Sequence, residues 1–332
     1  MGSLERLDSL HLRNNSLFGG IPPSLQNCSA LTVLELGLNE FSGGIPRWMG
    51  INLSDLLFLG LRSNKLNGHI PFELCGLTKL QILDLADNSL SGTIPKCFSN
   101  FKAMATKHES GKHIFYSIYY GAFLENAFVV TKGREMQYNT ILALATNLDL
   151  SANNLTGVIP PQITTLKGLR SLNLSGNHLT GRIPNSIGYM LWLESLDLSR
   201  NQLSGVIASS MSSLTYLSYL NLSYNHLSGK IPSSTQLQSF DASSFIGNEL
   251  CGPPISKNCE KDQKIPAPSH GGQKADGGDE VSRWFHLGIV TGFAVGFFGV
   301  IAPLLFSTTW RDACFGFFGN VWYKILYRYR LL

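Results

Sequence analysis

The chain has 332 residues, 14% of them charged, and a formal net charge of +4. So small a charge, without a basic patch, argues against nucleic-acid binding, while the length suits a repeat domain with appendages. Catalytic constellations are missing too: His108-Glu109 with His113 overshoots the H-E-x-x-H zinc spacing by one residue, and there is no P-loop, dinucleotide fingerprint or kinase motif set. The chain therefore reads as non-enzymatic, with no cofactor or metal.

The pattern L-x-x-L-x-L-x-x-N-x-L-x-G-x-I-P recurs, its Asn falling at Asn15, Asn39, Asn64, Asn88, Asn153, Asn177, Asn201 and Asn225. Steps are 24 or 25 residues, apart from one of 65. A period of that length with this Leu/Asn grammar is the leucine-rich-repeat signature, in which each repeat is one coil of a solenoid. The predicted fold is an α/β-type leucine-rich-repeat solenoid with a parallel concave sheet, a non-repeat island and a single transmembrane helix.

Four coils are expected over residues 1–101 and four over 147–247. In the last of them Leu217, Leu220 and Leu222 point inward, while Tyr219, Asn221 and Ser223 alternate outward. Asn225 turns inward to satisfy backbone groups at the bend, and stacked coils align such residues into a ladder. Gly229 allows a tight turn, and Ile231-Pro232 starts the convex return. Early coils present varied residues on the concave face, namely Asp8, His11, Arg13, Glu35, Phe58 and Arg62. Late coils repeat one residue at a matched site, Ser151, Ser175, Ser199 and Ser223. Variety suits a specificity surface; uniformity suits scaffold or a shared partner.

The long step leaves residues 102–146 as an island between repeats. Its aromatic and β-branched runs, Ile114–Tyr120 and Ala127–Thr131, read as short strands. Such an insertion is either a self-packed spacer that shields the two solenoid halves or a platform for a ligand or partner. Cys251 and Cys259 fall in a cap over 248–260, where a disulfide closes the end of the solenoid. Cys75 and Cys97 occupy convex segments of adjacent coils and form a candidate second bridge, whereas Cys28 fills a core position. Glycosylation sequons stand at Asn14, Asn27, Asn52, Asn154, Asn173 and Asn221. Together these features suit a secretory, oxidising compartment.

Residues 261–283 form a linker whose end carries Asp276, Asp279 and Glu280. Residues 284–307 contain no Lys, Arg, Asp or Glu and are long enough to span a bilayer as a helix. The tail 308–332 carries Arg311, Lys324, Arg328 and Arg330, so the repeats are expected outside and the tail in the cytosol. Gly288, Gly292 and Gly296 make one small-residue stripe, suited to close approach of another transmembrane helix. Tyr323 and Leu326 fit the Y-x-x-Φ sorting pattern, although aromatic and basic tails also simply rest at headgroups.

This order of parts resembles the plant receptor-like proteins. The most specific segments are Val130–Tyr138 leading to Asn147–Asn153, then Gly292–Val300 and Ser307–Arg311. They are similar to the branch of the ethylene-inducing-xylanase receptors and the apple scab resistance homologues. The resemblance implies a plasma-membrane, single-pass immune receptor without its own kinase, which recognises microbial proteins or peptides outside the cell. It implies an adaptor receptor kinase paired through Gly288, Gly292 and Gly296, a co-receptor kinase at the last repeats, and endocytosis through Tyr323. Met1 lies inside a repeat, which reads as the C-terminal portion of a longer receptor. Two alternatives stay open, a developmental receptor-like protein sensing endogenous peptides and a truncated decoy or non-functional remnant.

Overall fold

The structure is a computed structural model that describes residues 3–106, 115–118, 121–124, 127–138 and 145–259. The repeat-bearing unit is Met1–Lys261. Its concave sheet has eight parallel strands in chain order, from Ser9–His11 through Val33–Glu35, Phe58–Gly60, Ile82–Asp84, Asn147–Asp149, Ser171–Asn173 and Ser195–Asp197 to Tyr219–Asn221. Ile82–Asp84 pairs directly with Asn147–Asp149, so the island leaves the ladder without breaking the sheet.

The leucine grammar does what its spacing requires. Leu34, Leu59, Leu83, Leu148, Leu172, Leu196 and Leu220 all enter one continuous core. The asparagine ladder is equally regular. Asn177 Nδ2 donates to the carbonyls of Leu150, Leu174 and Ser175 at 3.0, 3.2 and 3.2 Å, and its Oδ1 accepts from Leu155 N at 3.0 Å. One side chain thus satisfies the bend of its own coil and of its neighbour, leaving no orphaned buried amide there.

Three features depart from the expectation. After each ladder Asn the chain forms a second parallel sheet, nine strands running from Phe18–Gly19 to Glu249–Cys251. The segment expected as a simple turn is extended because its leucine (Leu66, Leu90, Leu155, Leu179) is buried while its flanking residues face out. Second, a ninth, degenerate coil precedes the cap. Asn248 Nδ2 donates to Leu222 O and Phe245 O at 2.9 and 3.0 Å, and its Oδ1 accepts from Leu227 N at 2.9 Å. Third, Lys102–Ala105 is a helical turn with Met104 in the main core, so the solenoid retains the first residues assigned to the island.

Short 3₁₀ turns such as Phe72–Gly76 and Asn185–Tyr189 form the convex side. Adjacent turns approach so closely that a Cβ at Gly188 would stand 2.0 Å from Ser210 O. Disulfides join Cys75 to Cys97 on this side and Cys251 to Cys259 in the cap, and Cys28 is buried in the core. Among the described residues no helix is long and apolar enough to cross a membrane. The transmembrane segment, Gly288, Gly292, Gly296, Tyr323 and Leu326 lie outside the described residues, as do His108, Glu109 and His113.

Candidate ligand face on the concave sheet

Strand register sorts the concave floor into rows. One row reads Ser9, Val33, Phe58, Ile82, Asn147, Ser171, Ser195 and Tyr219. The row beside it reads His11, Glu35, Gly60, Asp84, Asp149, Asn173, Asp197 and Asn221. The first row is therefore apolar in coils two to four and polar beyond. The second carries four carboxylates, Glu35, Asp84, Asp149 and Asp197.

Part of the island, residues 127–138, lies on the concave face. Ala127–Thr131 and Arg134–Tyr138 form an antiparallel hairpin closed by Lys132-Gly133, both with positive φ (53° and 69°), the geometry of a two-residue hairpin turn. This hairpin lies along the first row. Phe128 sits under the guanidinium of Arg13, at 4.9 Å, and Glu135 pairs with the same Arg13. Val129 is 2% exposed and clusters with Val33, Phe58 and Ile82. Asn147 Nδ2 donates to Val130 O at 3.1 Å, and Lys132 N donates to Ser195 Oγ at 3.2 Å. Finally Gly133 abuts Tyr219, whose hydroxyl would stand 3.1 Å from a Cβ placed there. From Phe128 to Gly133 the strand thus meets successive coils in order. The second island hairpin pairs Phe115–Ile118 with Gly121–Leu124.

This cover changes the standing of the residues expected to face a ligand. Asp8 and His11 remain exposed; Thr32 Oγ1 donates to Asp8 Oδ1 at 3.3 Å, and His11 Nδ1 lies 2.8 Å from Glu35 Oε2. Arg13 is held by the hairpin, Glu35 is 4% exposed and Phe58 2% exposed. Neither of the last two is an open contact: Val129 packs on the Phe58 ring, and Glu35 is buried in the neighbouring row. Gly60 makes room for the ring: a Cβ there would lie 2.7 Å from Phe58 Cε1.

Arg62 serves the scaffold. Its guanidinium donates to Asp84 at 2.7 Å and also pairs with Asp149. Burial opposes the guanidinium's charge, but the two carboxylates outweigh it and hold Arg62 above its ordinary pKa. Burial and the neighbouring Asp149 push Asp84 up to about 6 against the pull of Arg62. At the other end Tyr219 donates to Asp197 at 3.2 Å, and burial, then Asp197, raise the phenol. Glu194 takes Arg170 at 2.5 Å and Lys132 of the hairpin at 3.2 Å.

The repeated serines also have a local explanation. Ser151, Ser175, Ser199 and Ser223 donate their hydroxyls to Asp149, Asn173, Asp197 and Asn221 at 2.6, 2.8, 2.7 and 2.7 Å. Each serine N–H donates to the same oxygen. Their uniformity belongs to the bend of the coil, which is the scaffold reading of the two offered. Of the sequons, Asn14, Asn27, Asn52 and Asn154 are exposed, while Asn173 and Asn221 are half-buried on the floor.

Models of leucine-rich repeats match residues 6–28, 79–101, 144–203 and 216–238. Receptor-like protein EIX2 of Solanum lycopersicum is 51% identical over 304 residues, covering 89% of this chain, and Receptor-like protein EIX1 of the same organism is 52% identical over 309. The chain belongs to the plant leucine-rich-repeat receptor-like proteins. It spans about 30% of the length of these two relatives. The solved ectodomain of the Arabidopsis receptor kinase HAESA, in complex with the peptide hormone IDA and the co-receptor SERK1, is similar at a TM-score of 0.52 and 34% identity. That match covers 78% of this chain and 40% of the other.

Proposed function

We propose that the chain acts in a cell-surface immune receptor that has no kinase domain of its own. In this reading the repeats bind an extracellular microbial protein or peptide and signal plant defence through partner receptor kinases. The observation that carries it is the 51% identity to a tomato EIX receptor-like protein across 89% of the chain. Residues 284–307, free of Lys, Arg, Asp and Glu, span the plasma membrane once, with the repeats outside and the basic tail in the cytosol. Gly288, Gly292 and Gly296 let an adaptor kinase's transmembrane helix approach closely, a co-receptor kinase meets the last repeats, and Tyr323 with Leu326 directs endocytosis. The receptor is glycosylated and performs no catalysis.

The test is expression of the full chain with a C-terminal tag in leaf cells. Endoglycosidase sensitivity and co-purification of a receptor kinase support the reading, provided that the kinase is lost when Gly288, Gly292 and Gly296 become Leu. An unglycosylated product that brings down no kinase contradicts it. The HAESA–IDA complex favours a second reading, in which the ligand is an endogenous peptide and the role developmental. Induction by microbial extracts, as opposed to expression confined to developing tissue, separates the two.

A further inference from the structure

The hairpin fits the concave row well at its apolar step and leaves one polar step, at Asn147, half made. Val129 fills the patch of Val33, Phe58 and Ile82. Asn147, only 1% exposed, uses one half of its amide: Nδ2 reaches Val130 O, while its buried Oδ1 has no hydrogen-bond partner. Glu35 Oε1, three coils away in the neighbouring row and also buried, is in the same condition. A side-chain amide can grip an extended backbone at both a carbonyl and an N–H. With the hairpin in place only the carbonyl half of that grip is made, at Val130 O.

We propose that the track formed by Val33, Phe58, Ile82, Asn147 and Ser195 is a groove for a single extended polypeptide strand, and that the island hairpin Ala127–Tyr138 is its resident occupant, displaced when such a strand binds. The chemistry on the floor defines the partner. An aliphatic side chain enters the apolar step, and a main-chain carbonyl and N–H meet the two halves of the Asn147 amide. Another N–H reaches Ser195 Oγ, and an acidic or aromatic residue takes Arg13 from Glu135 and Phe128. Strand-like ligands are read in this way, with affinity from the main chain and specificity from alternate side chains. The hairpin lowers the apparent affinity of any such strand by the fraction of time that it occupies the track. This inference rests on the receptor reading above and assigns the ligand's form and the groove's regulation.

The test uses the full chain and a labelled synthetic peptide with the sequence of Ala127–Tyr138, which needs no knowledge of the natural ligand. Val129→Lys puts a charge into the apolar step and releases the hairpin; the chain should then capture the wild-type peptide about tenfold or more tighter than the unaltered chain does. Adding Asn147→Ala to Val129→Lys should cost about tenfold of that gain. A second chain, in which a Gly-Ser linker replaces residues 127–138, removes the occupant outright and should behave like Val129→Lys. Circular dichroism verifies that each solenoid is folded. A folded linker chain that captures the peptide no better than the unaltered chain overturns the proposal, as does capture indifferent to Asn147. Neither readout involves defence signalling, so a chain that captures the peptide yet recruits no kinase in leaf cells contradicts the receptor reading alone.

Discussion

The side-chain amide of Asn147 donates to the backbone carbonyl of Val130 at 3.1 Å, joining the fifth strand of the concave sheet to the middle of the island hairpin. This bond lies between the apolar step at Val129 and the polar step at Ser195. The inner face of the solenoid is thereby lined in part by the protein's own chain, and the residues beneath it answer first to the hairpin.

The ladder predicts its own sensitivity. Asn177→Ala removes the partners of three carbonyls and of Leu155 N–H, all in a buried bend. The expected loss is about 2–4 kcal/mol, the cost of leaving several buried backbone groups unmade. Thermal unfolding of the variant against the parent measures it.

A second prediction concerns the buried charges. Arg62→Met leaves Asp84 and Asp149 facing each other without their counter-ion and should destabilise the fold by about 3–5 kcal/mol. Asp84→Asn relieves part of that repulsion and should recover part of the loss. Urea unfolding of the two single variants and the double variant checks the coupling.

Asp84 also sets a pH dependence. Its folded pKa is raised to about 6 from an ordinary 3.8, so the folded state holds a proton that the unfolded state has released between those values. The resulting stabilisation is fully present below about pH 4, is lost as pH rises through about 6, and is flat beyond. Asp84→Asn should abolish this segment of the stability–pH curve.

Glycan placement follows from exposure. Asn14, Asn27, Asn52 and Asn154 are open to solvent. Asn173 and Asn221 accept from Ser175 and Ser223 through Oδ1, and Nδ2 of each faces a floor carboxylate, Asp149 at 3.3 Å and Asp197 at 3.4 Å. Mass spectrometry of the tagged chain expressed in leaf cells should find the four exposed sites occupied and the two floor sites bare.

The convex disulfide has a stability consequence. Cys75 and Cys97 are 22 residues apart, and in the chain-entropy account closing a loop of that size contributes about 3 kcal/mol. Replacing both by Ala should lower the unfolding midpoint accordingly, with the concave face left intact.

The coil was legible because its constraints are local and periodic. Leu, Asn and Gly recur at fixed offsets, and each offset has one steric or hydrogen-bonding purpose. The ninth coil escaped although Asn248 follows Asn225 by nearly a full period, because Phe240, Ser243 and Phe245 stand where the other coils carry leucine. The second sheet escaped because the Gly that ends its strands reads equally as a turn. The island's position escaped for a deeper reason, as nothing periodic ties Val129 to a coil. One signal was present nonetheless: Val33, Phe58 and Ile82 are apolar at matched outward positions in three consecutive coils, where water would favour polar residues. Phe58 was expected to await a ligand, yet its neighbours already imply a cover.

The most direct measurement is hydrogen exchange of the full chain, read for the segment from Phe128 to Tyr138. A docked hairpin should slow exchange across the segment well below that of an open loop, and Val129→Lys should abolish this protection while leaving Ser171–Asn173 protected in both chains. Fast exchange of the segment in the unaltered chain would contradict the account, for the concave face would then be open and Phe58 free to meet a ligand directly.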